Sequence, residues 1–412
     1  MEPKIRLKGF SGEWEYKKLS SLTSVRGGYA FQSSLFQKSG IPVVRISNIL
    51  SNGSVGGDFA YYPKLDGDSN VTLHDKDVVI AMSGATTGKI ARVDIGDGVL
   101  YQNQRVGLFT KTGKVDYDFL YAVLNRPHFN ELLNKLLTSS AQPNASSADI
   151  ESIEMGFPLD AEEQKALSNY ILSLDSLIQS TTKKIESLKK VKAASLQSMF
   201  PHEGETMPRV RFKGFEGEWE MVLVGNLGTT YSGLSGKTKD DFGSGEARFI
   251  TFLNVLTNAK IDTTILEAVN VSDGEHQNEV KKGDLLFNTS SETPEEVGMC
   301  AVMDEDISDV YLNSFCFGFR VTDVNVDPTF IAYLMRSHVG RRIMSILAQG
   351  ATRYNLSKNN FCNAELLLPK TKKEQSLISN YFVSLDSQIA LQTQRLEKLK
   401  QIKSACLDNM FV

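Results

Sequence analysis

Glu163–Phe200, "EQKALSNYILSLDSLIQSTTKKIESLKKVKAASLQSMF", returns as Glu374–Phe411, "EQSLISNYFVSLDSQIALQTQRLEKLKQIKSACLDNMF", at a constant offset of 211 residues and without a gap. Nineteen of the 38 aligned positions are identical, and neither run contains Gly or Pro. Leu167, Ile171, Leu174, Ile178, Ile185, Leu188 and Met199 step by three, four or seven residues or multiples of these, the period of a helix face. Ile378, Phe382, Leu385, Ile389, Leu396, Leu399 and Met410 repeat the pattern. Pro158 and Pro369 stand just ahead of each run, where the chain is still extended. Each run is predicted to be a helix on the order of 57 Å long, at about 1.5 Å per residue. A stripe interrupted by Thr181, Lys192 and Ser195 calls for a partner helix, and the best candidate is the other copy. The twelve Leu, Ile and Phe residues of the two stripes are therefore the candidate partner-interface residues.

A second repeat sets the architecture. "PKIRLKGFSGEWE" (Pro3–Glu15) returns as "PRVRFKGFEGEWE" (Pro208–Glu220), each carrying one of the two tryptophans, Trp14 and Trp219. Internal repetition of this extent implies two fused halves of about two hundred residues. Parallel helices would force the segment between them to bridge a whole helix length, so antiparallel pairing is expected. The chain then closes into a near-ring with pseudo-twofold symmetry, an α/β protein with two globular units joined by an antiparallel coiled coil. The expected divisions are 1–158 and 202–369 for the globular domains, and 159–201 and 370–412 for the long helices.

Composition bounds the function. At 412 residues the chain exceeds a single core. No apolar stretch approaches a membrane span, and "MEPKIRLKGF" lacks the apolar core of a signal peptide, so a cytoplasmic protein without membrane contact is expected. Cys300, Cys316, Cys362 and Cys406 show no CxxC spacing and the five histidines are scattered, which argues for free thiols and against zinc. The formal charge of −4 means that any nucleic-acid contact must come from local patches. "MSGATTGKIA" (Met82–Ala91) resembles a phosphate loop but has three residues between its glycines, and Ile90 follows Lys89 where a metal-binding hydroxyl is needed. A tight turn between strands Asp77–Met82 and Lys89–Val93 is expected instead.

Between the repeats the halves keep an outline and lose identity. "VVRISNIL" (Val43–Leu50) faces "FITFLNVL" (Phe249–Leu256), and "DKDVVIAMSGATTGKIA" faces "KGDLLFNTSSETPEEVGMCA", with Gly88 against Gly298 but nothing against Lys89. "VDYDFLYAVLN" and "VDPTFIAYLMR" read as short amphipathic helices, and "SAQPNASSADI" faces "ATRYNLSKNNF". This layout resembles the DNA-specificity subunit of type I restriction-modification systems over essentially the whole chain. The resemblance implies that each variable segment is a target-recognition domain reading half of a split sequence in double-stranded DNA. It further implies that the helices set the spacing and dock two methyltransferase subunits, with restriction/translocase subunits as further partners. No cofactor is expected in this chain; S-adenosylmethionine, ATP and Mg²⁺ belong to the partners.

The residues agree with a non-catalytic role. "DPTF" (Asp327–Phe330) lacks the second proline of an adenine-methylating loop, and "FGSG" (Phe242–Gly245) is a poor cofactor loop. Asp160, Glu163 and Lys165 stand at a helix start, where acids commonly serve the helix dipole, and Ser376 replaces the lysine in the copy.

Base reading favours Arg or Lys for guanine and Asn or Gln for adenine. The candidates in the first half are Arg26, Arg45, Asn48, Ser83, Thr86, Lys89, Gln102, Gln104, Arg105, Gln142 and Asn144; in the second they are Lys237, Lys239, Asn288, Thr289, Ser290, Arg353, Tyr354, Asn355 and Lys358. For each of these a solvated-loop or turn-forming role competes with base contact, and pairs kept in both copies, Asn48 with Asn254 and Asn144 with Asn355, are equally suited to holding turns. Lys183, Lys184, Lys189, Lys190, Lys192, Arg395, Lys398, Lys400 and Lys403 make the helices basic, as a solvated face or a DNA-backbone contact. A tandem protein-interaction scaffold and an enzyme completed only as a homodimer remain the competing functions.

Overall fold

The computed structural model describes residues 2–137, 144–272, 274–350 and 352–412. Both long repeats are single helices, Ala161–Ser198 and Lys372–Asn409, each of 38 residues. The chain divides into two compact units that do not coincide with contiguous halves. The first runs up to Thr182 and takes back Gln394–Val412; the second is Lys183–Thr393. Each unit therefore contains a piece of both helices, and within each the two pieces run antiparallel. In the first, Lys403 pairs with Asp175, while Leu167 and Ile171 share a core with Leu407, Met410 and Phe411. In the second, Lys192 pairs with Asp386, the Ser195 hydroxyl meets that of Tyr381 at 3.0 Å, and Phe200 stacks on Phe382. Two of the lysines read as a basic face are thus committed to ion pairs between helices.

The stripe expected to face the other helix is covered by more than that helix. Leu167, Ile171, Leu174, Ile185, Ile378, Phe382 and Leu385 are buried, and Ile178, Leu188, Ile389, Leu396 and Leu399 are half-buried. Leu167 and Ile171 lie in the core of the first unit and Ile378, Phe382 and Leu385 in that of the second, because the helix ends must cover the sheets beside them. The apolar side chains left exposed on the helices are others: Tyr170, Leu177, Val191, Leu377, Leu391 and Ile402.

Each unit is layered in the same way. In the first, a four-stranded antiparallel sheet has the order Val25–Gly27, Val106–Phe109, Val78–Ala81, Ile90–Arg92. A mixed sheet, ordered Ala60–Tyr62, Ile41–Val44, Leu100–Gln102, Thr72–Leu73, lies on it and contains one parallel pair. Alternation along Val78–Ala81 explains the sandwich: Val78 and Ile80 face the helices, Val79 and Ala81 face the mixed sheet. The second unit repeats this with Gly228–Ser232, Cys316–Val321, Leu285–Asn288 and Cys300–Val302, against Glu267–Val269, Phe242–Ile250 and Val310–Leu312. The segments expected to form amphipathic helices do form helices, Tyr117–Leu124 and Pro328–Arg336, but every residue from Phe119 to Leu124 and from Phe330 to Met335 is buried. Wedged among sheet, long helix and a following helix, they have no solvent face.

The short repeat clamps each unit. Trp14 and Trp219 are buried, their rings meeting Phe119 and Phe411 in one unit and Phe200 and Phe330 in the other, so neither offers a face for stacking on bases. Arg6 binds Glu163 through two hydrogen bonds of 2.8 and 2.7 Å, and Arg211 binds Glu374 through two of 2.7 and 2.9 Å. Glu163, read as an acid serving the helix dipole, and its counterpart Glu374 are thus also buried ion-pair partners. Asp327, in the "DPTF" stretch, caps its helix and accepts from the hydroxyls of Ser376 and Ser379.

His338 in the second unit packs against His202 with centroids 4.3 Å apart and the rings tilted by 36°, and has Leu196 O 3.2 Å from Nδ1. Burial pushes its pKa below the usual 6.5, with His202 and Arg209 adding to the effect and the Leu196 carbonyl and Glu205 opposing it. A depressed folded pKa means that the unfolded chain binds more protons between the two values, so stability is lost as pH falls. Thermal melts at pH 7.5, 6.5 and 5.5 should show a declining Tm that His338→Phe flattens. An equal decline in the variant would remove His338 as the cause.

Candidate DNA-recognition interface

Three separate segments meet at one end of the two central strands of each antiparallel sheet. In the first unit, strand Val78–Ala81 leads into the loop 82–89, where Gly84 and Gly88 have φ of +75° and +86°. The loop is a turn as expected, and the Lys89 ammonium donates to the Ser51 hydroxyl at 3.0 Å. Gly88 matches Gly298 for a packing reason: a Cβ would lie 2.6 Å from Asn130 Oδ1 at one and 2.7 Å from Met344 Sδ at the other. Ser83 bridges to Asn144, and the Ala145 N–H donates to Met82 O. In the second unit Ser290 and Ser291 pair with Asn355 and Tyr354, and the Leu356 N–H donates to Thr289 O. The third segment is the turn at Asn103–Arg105 or Asn313–Phe315, whose last carbonyl accepts from Met82 N at 2.9 Å or Thr289 N at 3.0 Å.

This geometry brings Ser83, Thr86, Gln104, Arg105 and Asn144 together in the first unit, and Thr289, Ser290, Arg353, Tyr354 and Asn355 in the second. Arg353 Nε donates to Ser290 Oγ at 3.3 Å, while Lys358 reaches Ser232 Oγ at 2.5 Å. Among the described residues the exposed Arg105 guanidinium has no ion-pair partner. Gln142 lies outside the described residues.

Other candidates are built into the scaffold instead. Asn48 is 1% exposed; its amide donates to Gly56 O and Asp58 O and its Oδ1 accepts from Arg45 N. Asn254 plays the same part with Asp262. Asn288 closes its own loop through Glu296 O and Met299 N. Gln102 is fully buried, donating to Arg26 O and Val106 O and accepting from the Arg26 guanidinium, whose pKa burial lowers. Arg45 donates to Asp58 O. Lys237 pairs at 2.6 Å with Glu275, whose carboxyl that hydrogen bond holds down to about 2, and Lys239 stands exposed on a separate turn. Buried amides satisfied by backbone specify loop shape and present no edge to a base.

Residues 11–190 and 216–401 match the profile of the type I restriction modification DNA specificity domain. The chain belongs to that family. The specificity subunit of the type I restriction enzyme MjaVIII from Methanocaldococcus jannaschii is 29% identical over 188 residues, which covers 44% of this chain and 44% of that protein. The match thus spans less than half of this curated relative. The S subunit of a type I restriction-modification system from M. genitalium aligns over 100% of this chain and 99% of its own, with a TM-score of 0.66 at 15% identity. A structure concerned with complex assembly and conformational transition of the type I system aligns over 98% and 99%, with a TM-score of 0.50 at 16% identity. Likenesses at that identity speak for the fold. Specificity subunits are the non-catalytic DNA-recognition members of type I systems. Among the described residues of this specificity chain no helix is long and apolar enough to cross a membrane.

Sequence reading did not single out the turn that braces these loops. Asn103 and Asn313 organise the third segment, and Gly28 and Gly233 press on them so closely that a Cβ at either would stand 2.2 Å from the asparagine carbonyl oxygen. Phe315 closes the same turn in the second unit. The signal was available: "YQNQR" (Tyr101–Arg105) and "YLNSF" (Tyr311–Phe315) share a tyrosine and an asparagine two residues apart.

Proposed function

We propose that this chain recognises a bipartite, asymmetric sequence in double-stranded DNA, one half per unit, and directs adenine methyltransferase and restriction subunits to it. One observation carries the reading: the same three-segment scaffold is built twice and bears unlike side chains. Identical readers related by a twofold see a palindrome. Unlike readers on a duplicated scaffold suit two unlike half-sites. Arg105 and Arg353 have the donors for guanine, and Asn144 and Asn355 the paired donor and acceptor for adenine. The exposed apolar side chains of the long helices, Tyr170, Leu177 and Val191 with Leu377, Leu391 and Ile402, are the docking surface for two methyltransferase subunits in this reading. S-adenosylmethionine, ATP and Mg²⁺ then belong to the partners.

Methylation profiling of cells carrying the chain and its methyltransferase tests the division of labour. Asn144→Ala is expected to relax one position in one half of the motif, and Arg353→Ala one position in the other. Each lost contact should cost about 1–3 kcal/mol of discrimination. A palindromic wild-type motif, or both variants altering the same half, would contradict the two-reader assignment.

A further inference from the structure

The turn that follows the third strand of each mixed sheet is the same object in both units. Asn103 N donates to Val44 O at 3.1 Å, and Asn313 N to Ile250 O at 3.1 Å. The asparagine Oδ1 accepts from the N–H two residues on, Arg105 at 3.3 Å or Phe315 at 2.8 Å. The asparagine carbonyl accepts from the N–H three residues on, Val106 at 2.9 Å or Cys316 at 3.0 Å. Gly28 or Gly233 closes over it, and the last residue of the turn gives its carbonyl to Met82 N or Thr289 N. Thr289 adds its hydroxyl to Phe315 O at 2.7 Å. With the backbone so matched, what differs at the node is the side chain: a guanidinium in one unit, a phenyl ring in the other.

Phe315 is 57% exposed, and among the described residues every other phenylalanine is buried or half-buried. A ring held in water by a turn with this many restraints is not there for lack of an alternative, because a polar residue would fit the same backbone, as Arg105 does. We propose that Phe315 is a base-specificity residue of the second unit that reads a thymine through its 5-methyl group, at the position where Arg105 serves the first unit. The inference rests on the two-reader function proposed above. The thymine methyl is the apolar feature that the major groove displays, and Phe is among the side chains suited to it. The ring is not quite half covered by its surroundings, so it offers a flat apolar surface beside Thr289 and Ser290 and lacks the reach of a free-standing wedge between base pairs.

The test uses the full chain with its methyltransferase partner. Methylation profiles of wild type, Phe315→Ala, Phe315→Arg and Arg353→Ala identify the half-site of the second unit and the position within it that depends on Phe315. Phe315→Ala is expected to relax a single T·A pair in the half altered by Arg353→Ala, and Phe315→Arg to shift that position toward guanine. In binding assays, uracil in place of that thymine removes only the methyl group. It should weaken wild type roughly four- to tenfold, on the scale of one buried methyl group, and leave Phe315→Ala unaffected. Thermal melts should coincide for wild type and Phe315→Ala, since the ring is outside the core. An intact bipartite motif unchanged in Phe315→Ala, or a loss spread evenly over all positions, overturns the assignment of Phe315. A wild-type complex without any bipartite motif overturns the two-reader function itself, a different and separately visible result.

Discussion

Phe411→Ala should strongly destabilise the first unit and spare the second, although residue 411 belongs to the second half of the sequence. Its ring is 3% exposed, stacks on Phe119 at 5.5 Å, meets Trp14 edge-on at 6.1 Å and lies under the Arg126 guanidinium. Removing a buried phenylalanine costs about 3–5 kcal/mol, a large part of the roughly 5–15 kcal/mol that holds an ordinary domain. Amide hydrogen exchange should therefore accelerate in residues 14–182 and in 394–412, with 183–393 protected as before. The twin substitution, Phe200→Ala, should do the reverse, because Phe200 packs on Trp219, Phe330 and Phe382. Acceleration of both units by either substitution would show that they do not unfold separately.

The second large effect is expected at the clamp. Arg211→Met leaves Glu374, whose side chain is 3% exposed, without its two-pronged partner, and Trp219 Nε1 at 3.3 Å is the main remaining donor. Breaking a buried pair from one side costs about 3–5 kcal/mol, whereas replacing both members by apolar groups of similar volume is often close to neutral. Urea unfolding of Arg211→Met, Glu374→Leu and the double variant separates these outcomes. The double variant should be much more stable than the sum of the two losses predicts. Strict additivity would mean that the two residues act independently and that the repeat is held by its apolar contacts alone.

Much of the architecture was legible because it rests on periodicity and duplication. The helix stripe, the antiparallel sense and the scaffold shared by the two halves all follow from spacing that a single sequence displays. The recognition side chains were less so. Asn48, Gln102 and Asn288 have the chemistry of base readers, but a buried amide bonded to backbone looks the same in a sequence as an exposed one. Phe315 shows the opposite case, since an isolated phenylalanine beside a strand reads as core and here lies exposed. The stripe on the helices was read as facing the other helix, and its ends also cover the sheets beside them, because periodicity reports that a face is covered and is silent on how many elements share in covering it.

The discontinuity of the first unit also orders events during synthesis. Residues 183–393 are contiguous, so everything the second unit needs is synthesised, and later emerges from the ribosome, ahead of Gln394. The first unit, begun two hundred residues earlier, waits for Leu407, Met410 and Phe411 to fill its core. Domains generally fold as units and in the order in which they emerge; here the amino-terminal domain is the last to finish. Until then its sheet, with Val78, Ile80 and Phe109 turned toward the missing helix end, is the surface of the nascent chain most exposed to mispairing and to chaperones.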